Sequence, residues 1–156
     1  MDLDNKGVIA QCPSCGQRNR LPYGRLGAET RCGKCQTPLS APSGPIETPD
    51  AAAFDAAVSQ SSVPVVVDFW APWCGPCRMV APELAKVAAS ASGRFIVVKV
   101  NTDALAELGQ RLRIRSIPTL AVYSGGREVS RTSGAMPAAG IEAFIAQAGV
   151  GARADS

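Results

Sequence analysis

The sequence predicts an α/β fold, in which a central mixed sheet is flanked by helices and preceded by a small cysteine-rich unit. The apolar, β-branched run over residues 63–70 is typical of a buried strand, and apolar residues at helical spacing follow it at once. Strand and helix patterns then alternate and end in a hairpin and a helix, the order of a mixed sheet with helices on both faces. Four of the six cysteines lie within the first 35 residues.

Length and charge limit the classes of function that the chain can have. Its 156 residues accommodate one domain of common size and a small appendage. The formal charge of +3 lies entirely in residues 1–44, which hold six basic and three acidic side chains. This excess of positive charge becomes smaller if the cysteines of the segment bind a divalent cation as thiolates. A nucleic-acid surface usually needs more charge on one face, so we predict no nucleic-acid partner.

The ends of the chain and its apolar runs predict a compartment. Residues 1–6 lack the basic and apolar regions of a signal peptide, and no run approaches the roughly 20 apolar residues that cross a bilayer. We therefore expect a cytoplasmic protein with no membrane association. A reducing cytosol disfavours static disulfides and favours a metal-binding or redox role for the cysteines.

Two cysteine knuckles occupy the N-terminal unit. Cys12 and Cys15 form the first, Cys32 and Cys35 the second, and 16 residues separate them, which is the spacing of a four-cysteine zinc site. A unit of about 40 residues has little core of its own, so the metal would supply most of its folding free energy. Four thiolates leave no open coordination position, which favours one structural Zn²⁺. Two local disulfides or two redox pairs remain as alternatives.

The next segment connects this unit to the main domain. Residues 41–46 are rich in proline, serine and glycine and have the composition of a linker. Ile46 and Glu47 are predicted to add a short strand. Thr48 is expected as an N-cap, with Pro49 at the first helical position and Asp50 in the first turn of a helix.

The central feature is Cys74-Gly75-Pro76-Cys77, placed between the buried strand and the following helix. We expect Cys74 to be exposed at the helix N-terminus, where unpaired N–H groups and the helix dipole stabilise a thiolate. Cys77, one turn later, is close enough to form a disulfide with it. The helix is expected because apolar residues recur at helical spacing after the cysteines: Met79, Val80, Leu84, Val87 and Ala88. Half of a metal site, an inert thiol pair and a static disulfide are the alternatives to a redox dithiol.

The remaining elements follow in order. Residues 94–100 predict a second strand, and Thr102-Asp103 the cap of a short helix. Residues 119–123 predict a third strand that turns at Gly125-Gly126 into a hairpin. A last helix is expected from about Pro137, ahead of a frayed polar tail at residues 151–156.

Residues 68–78 closely resemble the active-site segment of thioredoxins, and the resemblance continues at residues 99–101, 116–119 and 134–135. The N-terminal unit resembles the zinc-ribbon extension of a bacterial class of that family, called thioredoxin 2. This implies a zinc ribbon at residues 1–40 and a thioredoxin domain at residues 47–150, with the thioredoxin fold.

The expected reaction is thiol–disulfide exchange, in which Cys74 attacks a substrate disulfide and Cys77 resolves the mixed disulfide. Asp68 lies in an apolar strand, so burial should raise its pKa and make it a proton acceptor for Cys77. The family implies that Asp68 and Lys99 are a functional pair; a carboxylate simply paired with Lys99, or exposed at the strand end, is the alternative. The chain has no histidine, which excludes Cys–His catalysis.

The family resemblance also implies a substrate-docking rim next to the dithiol. Thioredoxins carry a cis proline there, which corresponds to Pro118, and its neighbouring backbone groups pair with an extended substrate. The other expected rim residues are Trp73, Gly75, Pro76, Ile117, Gly134 and Ala135. Gly75-Pro76 between the cysteines resembles the reductant members of the superfamily, whereas Trp70 is expected to give packing support.

These observations predict a monomeric protein-disulfide reductase that acts as a general cytoplasmic reductant. Its partners would be disulfide-containing substrate proteins and, as the family implies, an NADPH-dependent thioredoxin reductase, because the chain has no nucleotide-binding glycine motif of its own. An isomerase, or a zinc-dependent interaction or chaperone module with a redox-sensing zinc site, is the alternative.

Overall fold

The computed structural model of the protein describes residues 1–149; residue 150 and the predicted tail at residues 151–156 lie outside the described part. The N-terminal unit contains a three-stranded antiparallel sheet, a 3-10 turn at Tyr23–Arg25 and a two-stranded hairpin. Its strands are β1 (Asp2–Leu3), β2 (Gly7–Gln11), β3 (Arg18–Pro22), β4 (Thr30–Arg31) and β5 (Pro38–Leu39).

The main domain is built on a five-stranded mixed sheet with strand order β10-β9-β7-β8-β6. Its elements are β6 (Ile46–Glu47), α1 (Ala51–Gln60), β7 (Val65–Trp70), α2 (Gly75–Ala89), β8 (Ile96–Asn101), α3 (Ala106–Arg111), β9 (Thr119–Ser124), β10 (Arg127–Ser133) and α4 (Ala138–Gln147). Strands β6, β7 and β8 are parallel, whereas β9 and β10 are antiparallel to their neighbours. The predicted α/β fold with a mixed sheet is confirmed. The helices of the described part are too short or too polar to span a membrane.

Alternation along β7 separates the two faces of the sheet. Val65, Val67 and Phe69 pack in one cluster with α1 and α3, whereas Val66 packs in a second cluster with α2 and α4. Successive side chains of a strand point to opposite faces of the sheet. A central strand made of consecutive apolar residues therefore packs against the helices on both faces. Asp68 therefore lies on the face of the sheet that α2 covers, the same face as Val66.

The N-terminal unit packs against the α1 face of the main domain. Six of its side chains belong to the same buried cluster as Ile46 and Phe54: Leu3, Val8, Ala10, Leu21, Tyr23 and Leu26. Tyr23 is 1% exposed and its hydroxyl donates to the Asp4 carbonyl over 2.6 Å. The Ser62 N–H donates to the Tyr23 carbonyl over 2.9 Å. The predicted linker, residues 41–46, thus ends inside the sheet, at the fully buried Ile46.

The predicted N-cap of α1 is wrong. Asp50 caps the helix, because its side chain accepts from the Ala53 N–H over 2.8 Å and the helix begins at Ala51. Thr48 instead directly follows the edge strand, and its N–H donates to the Lys99 carbonyl of β8 over 2.9 Å. Both residue types make good caps, and the pairing of Thr48 with β8 decides between them.

The predicted cap of α3 is also wrong. Thr102 donates from its N–H and its hydroxyl to the Trp70 carbonyl. Asn101 organises the turn, because its side-chain oxygen accepts from the N–H groups of Asp103 and Ala104 over 2.9 and 3.2 Å. The helix itself begins at Ala106 without a side-chain cap.

Candidate redox centre and metal site

The predicted position of Cys74 at the start of a helix is confirmed. Cys74 is the N-cap of α2, with extended backbone angles (φ −83°, ψ 110°). The Cys77 N–H donates to Cys74 Sγ over 3.2 Å. Pro76 lies in the first turn, where no intrahelical hydrogen bond is lost. In the reduced protein, the Cys77 N–H and the helix dipole favour the thiolate form of Cys74.

Cys74 and Cys77 are joined as a disulfide, with their Cα atoms 5.3 Å apart. This distance lies within the usual range of about 4.4–6.8 Å for disulfides. The pair is therefore described in its oxidised form. The geometry agrees with the expectation that one helical turn brings the two sulfurs within bonding reach.

The prediction that Cys74 would be exposed is wrong for this form. Cys74 is 3% exposed and Cys77 is 4% exposed. Both pack in a small cluster with Ala71, against Trp70 and Ile117. A loop more than 40 residues away in sequence covers the sulfur, and the local pattern of residues around Cys74 contains no sign of it.

That loop carries the cis peptide bond Ile117–Pro118, as the family resemblance implied. Cys74 Sγ lies 3.8 Å from the Ile117 carbonyl oxygen. The Gly134 N–H donates to the Pro118 carbonyl over 2.9 Å, and Gly134 has a φ of 99°, which favours glycine. The expected rim residues Ile117, Pro118 and Gly134 thus meet beside the dithiol.

The other side of the rim is more exposed. Gly75 and Pro76 are exposed in the first turn of α2, and Trp73 is 67% exposed. Ala135 lines a groove together with Met79. Met79 is 70% exposed, whereas Val80 beside it packs in the core.

Two residues hold the loop that precedes Cys74 and were not predicted from the sequence. The Trp73 indole N–H donates to Asp103 Oδ1 over 3.2 Å. The Arg78 guanidinium donates to the Pro72 carbonyl over 2.7 Å. Arg78 follows the dithiol directly in sequence, whereas Asp103 follows β8 and gives no local signal of this contact.

Asp68 is 1% exposed, and its Oδ1 has no hydrogen-bond partner among residues 1–149. Burial raises the pKa of Asp68 to about 7, the Lys99 charge opposes this shift and the Glu47 charge adds to it. It is the only buried acid in the described part of the chain. A carboxyl with this pKa exchanges protons near neutral pH.

Lys99 lies opposite Asp68 in the parallel pairing of β7 with β8. Its ammonium is 4.5 Å from the centroid of the Trp70 ring, a cation–π distance. The Trp70 indole N–H donates to Glu47 Oε2 over 3.2 Å. Trp70 therefore supports the charged groups behind the dithiol, in addition to packing against the cysteines, and Glu47 was not predicted as part of this group.

The four cysteines of the N-terminal unit converge on one point. Their sulfur atoms all lie within 4.8 Å of one another. Two sulfur–sulfur contacts join the two knuckles: Cys12 to Cys35 and Cys15 to Cys32, each 3.6 Å long. Four sulfurs at about 2.3 Å from a tetrahedral Zn²⁺ would be about 3.8 Å apart, so this donor set fits one zinc ion.

The surroundings of these sulfurs also suit thiolates. In each knuckle, a backbone N–H donates to the sulfur of the first cysteine over 3.4 Å. The donor is Ser14 for Cys12 and Lys34 for Cys32. The Thr37 hydroxyl lies 3.1 Å from Cys35 Sγ. Such donors compensate negative charge on sulfur, as metal-bound thiolates require.

A dithiol at a helix N-terminus after a central strand, facing a cis-proline loop, defines a thiol–disulfide oxidoreductase. The family model described as Thioredoxin matches residues 45–147, and the model described as Thioredoxin 2, N-terminal, matches residues 11–37. The chain belongs to the thioredoxin family.

Relatives and solved structures agree with this assignment. Thioredoxin C-3 of Corynebacterium nephridii is 38% identical over 140 residues, which cover 90% of this chain and 94% of the relative. Thioredoxin 1 of a Nostoc species is 52% identical over 84 residues, 54% of this chain and 78% of the relative. The crystal structure of a Malassezia sympodialis thioredoxin superimposes with a TM-score of 0.61 at 28% identity, covering 67% of this chain and 92% of that one. A Plasmodium falciparum thioredoxin superimposes with a TM-score of 0.60 at 32% identity, covering 65% of this chain and 96% of that one.

Proposed function

We propose that the protein is a general reductant of protein disulfides, with Cys74 as the attacking thiol. The observation that carries this proposal is the Cys77 N–H donating to Cys74 Sγ at the N-terminus of α2. The Cys74 thiolate attacks one sulfur of a substrate disulfide and releases the other as a thiolate. Cys77 then attacks Cys74 Sγ, which frees the second substrate thiol and leaves Cys74–Cys77 oxidised.

Asp68 is proposed as the group that accepts the Cys77 proton before the second step. A thiolate resolves a mixed disulfide and a thiol does not, so a base is needed on the buried side of the dithiol. Lys99 would limit the pKa of the Asp68 carboxyl, because its positive charge opposes the effect of burial.

The proposed docking rim surrounds this chemistry. Ile117 and Pro118 offer backbone groups to an extended substrate segment on one side of Cys74. On the other side the exposed indole of Trp73 provides apolar contact area. The remaining members of the rim are Gly75, Pro76, Gly134 and Ala135.

The four N-terminal cysteines, Cys12, Cys15, Cys32 and Cys35, are proposed to hold one structural Zn²⁺. The ion would cross-link the two knuckles and leave no coordination position open for a substrate. Because metal binding and folding are coupled in units of this size, the ion would maintain the strands that pack against α1.

The proposed electron donor is an NADPH-dependent thioredoxin reductase, which would return two electrons and two protons to the Cys74–Cys77 disulfide. The proposed setting is the cytoplasm, with the protein acting as a monomer, without a nucleic-acid or membrane partner. This setting supplies a reducing environment in which the reduced dithiol is regenerated.

A turnover assay with NADPH, thioredoxin reductase and insulin disulfides tests the proposal, with zinc measured on the same samples. Cys74→Ser should reduce turnover at least about a thousandfold, because a hydroxyl does not replace the thiolate in exchange, and should leave the zinc content unchanged. The matched control Cys35→Ser should lose zinc and keep most of the turnover at 25 °C. Turnover retained by Cys74→Ser would exclude the proposed function.

A further inference from the structure

Lys99 lies between two acidic residues on the strands that flank it. It is opposite Glu47 in the pairing of β8 with β6 and opposite Asp68 in the pairing of β8 with β7. Residues in register on adjacent strands project to the same face of a sheet. The three strands therefore carry a row of glutamate, lysine and aspartate, and this row lies on the face that α2 covers.

The Trp70 side chain connects the members of this row. Its indole N–H donates to Glu47 Oε2 over 3.2 Å, while the Lys99 ammonium sits 4.5 Å from its ring centroid. Trp70 follows Asp68 by two residues in β7 and so shares its face. One aromatic ring thus fixes the positions of both the glutamate carboxylate and the ammonium relative to the buried aspartate.

The elements packed around Asp68 contribute few charges. Strand β8 contributes Lys99 and strand β6 contributes Glu47, and these are the charged groups in the described chain that shift the pKa of Asp68. Strand β9 places the apolar Leu120 opposite it, and the buried residues of α2, which covers this face, carry no charge. The Lys99 charge alone would make Asp68 a weaker base. Glu47 offsets that effect in two ways: its own negative charge raises the pKa of Asp68, and it attracts the Lys99 ammonium that would otherwise act on Asp68 alone.

We propose that Glu47 is a positioning residue of the redox centre: it shares Lys99 with Asp68 across three strands and thereby keeps the Asp68 carboxyl a good acceptor for the Cys77 proton. This inference rests on the role of Asp68 in the proposed function. Glu47 does not touch the reacting sulfurs and acts through Lys99, Trp70 and Asp68.

The test is a titration of the Asp68 carboxyl carbon by ¹³C NMR in the oxidised protein, combined with the pH dependence of disulfide reduction. Glu47→Gln removes the charge and retains an oxygen that accepts from Trp70. Its Asp68 titration midpoint should fall by about half to one pH unit, because one screened charge is lost. The acid limb of the rate profile should move to lower pH by the same amount.

Two further variants separate charge from structure. Glu47→Ala removes the charge and the hydrogen bond, and it should shift Asp68 as much as Glu47→Gln does. Glu107→Gln neutralises an exposed acid on α3 and should leave Asp68 unchanged. An unchanged midpoint in Glu47→Gln, or a shift confined to Glu47→Ala, overturns the inference.

The turnover of the wild-type protein keeps the two hypotheses apart. Normal wild-type turnover with an unmoved Asp68 midpoint refutes the role of Glu47 alone. A midpoint that moves while the rate profile stays fixed refutes proton transfer through Asp68, and the inference with it. Absence of wild-type turnover refutes the proposed function.

Discussion

The chain contains three cysteine pairs of identical spacing in two different sites. In the N-terminal unit, each sulfur of one knuckle contacts a sulfur of the other knuckle, as in the 3.6 Å contact between Cys12 and Cys35. In the main domain, Cys74 bonds to its own partner three residues later. All three pairs share one feature, a nearby backbone N–H that donates to the first sulfur.

The element in which each pair lies decides its chemistry. The knuckles are closed turns that return to a strand, as the hydrogen bond from the Gly16 N–H to the Cys12 carbonyl shows, and the two sulfurs of each contact the other knuckle. Behind Cys74 a 15-residue helix begins, which adds a dipole and directs Cys77 back toward the first sulfur. Spacing alone therefore does not distinguish a metal ligand pair from a redox pair.

The largest expected effect comes from removing the metal from the four-cysteine site. Cys32→Ser, or a strong chelator, should abolish amide protection in residues 7–22, because a structural zinc supplies about 10 kcal/mol or more to the folding of such units. Hydrogen exchange measured by mass spectrometry provides the readout. Cys74→Ser, the matched change in the other site, should leave that protection intact. Protection that survives zinc loss would show that the shared apolar core alone holds the unit.

The next effect concerns the buried acid on the strand before the redox pair. The folded pKa of Asp68, about 7, lies above its ordinary value of 3.8, so stability is lost as pH rises from about 4 to about 7. Asp68→Asn should therefore be more stable than wild type by up to about 4 kcal/mol at pH 8, and no more stable below pH 4. Urea unfolding at several pH values measures this difference. A pH-independent gain in Asp68→Asn would contradict burial of the charged carboxylate as the cause.

The smallest expected effect tests a hydrogen bond inside the N-terminal unit, made by a tyrosine whose side chain packs in the cluster shared with the main domain. Tyr23→Phe removes a hydroxyl that donates to the Asp4 carbonyl over 2.6 Å and should cost about 1 kcal/mol of unfolding free energy. Tyr123→Phe, whose hydroxyl bond to Glu128 is 3.4 Å long, should cost less. Urea unfolding of both variants gives the comparison, and equal losses would argue against a specific role for Tyr23.

Much of the fold could be predicted because its signals are local. The β-branched run of β7, the helical spacing after Cys77 and the glycine pair between β9 and β10 each lie within one element. The errors occurred where a distant segment intervened. Thr48 was predicted as a cap, but it pairs with β8, and Cys74 was predicted to be exposed, but the Ile117 loop covers it.

The sequence by itself determined which residues could carry redox and metal chemistry, because cysteine spacing, helix-start residues and strand patterns depend on neighbours along the chain. Only the tertiary structure decided how the charges behind the dithiol are arranged. Glu47, Asp68 and Lys99 come from three separate strands, and their alignment depends on strand register. Register is fixed by burial of whole faces of the sheet, a property that no single segment of sequence contains.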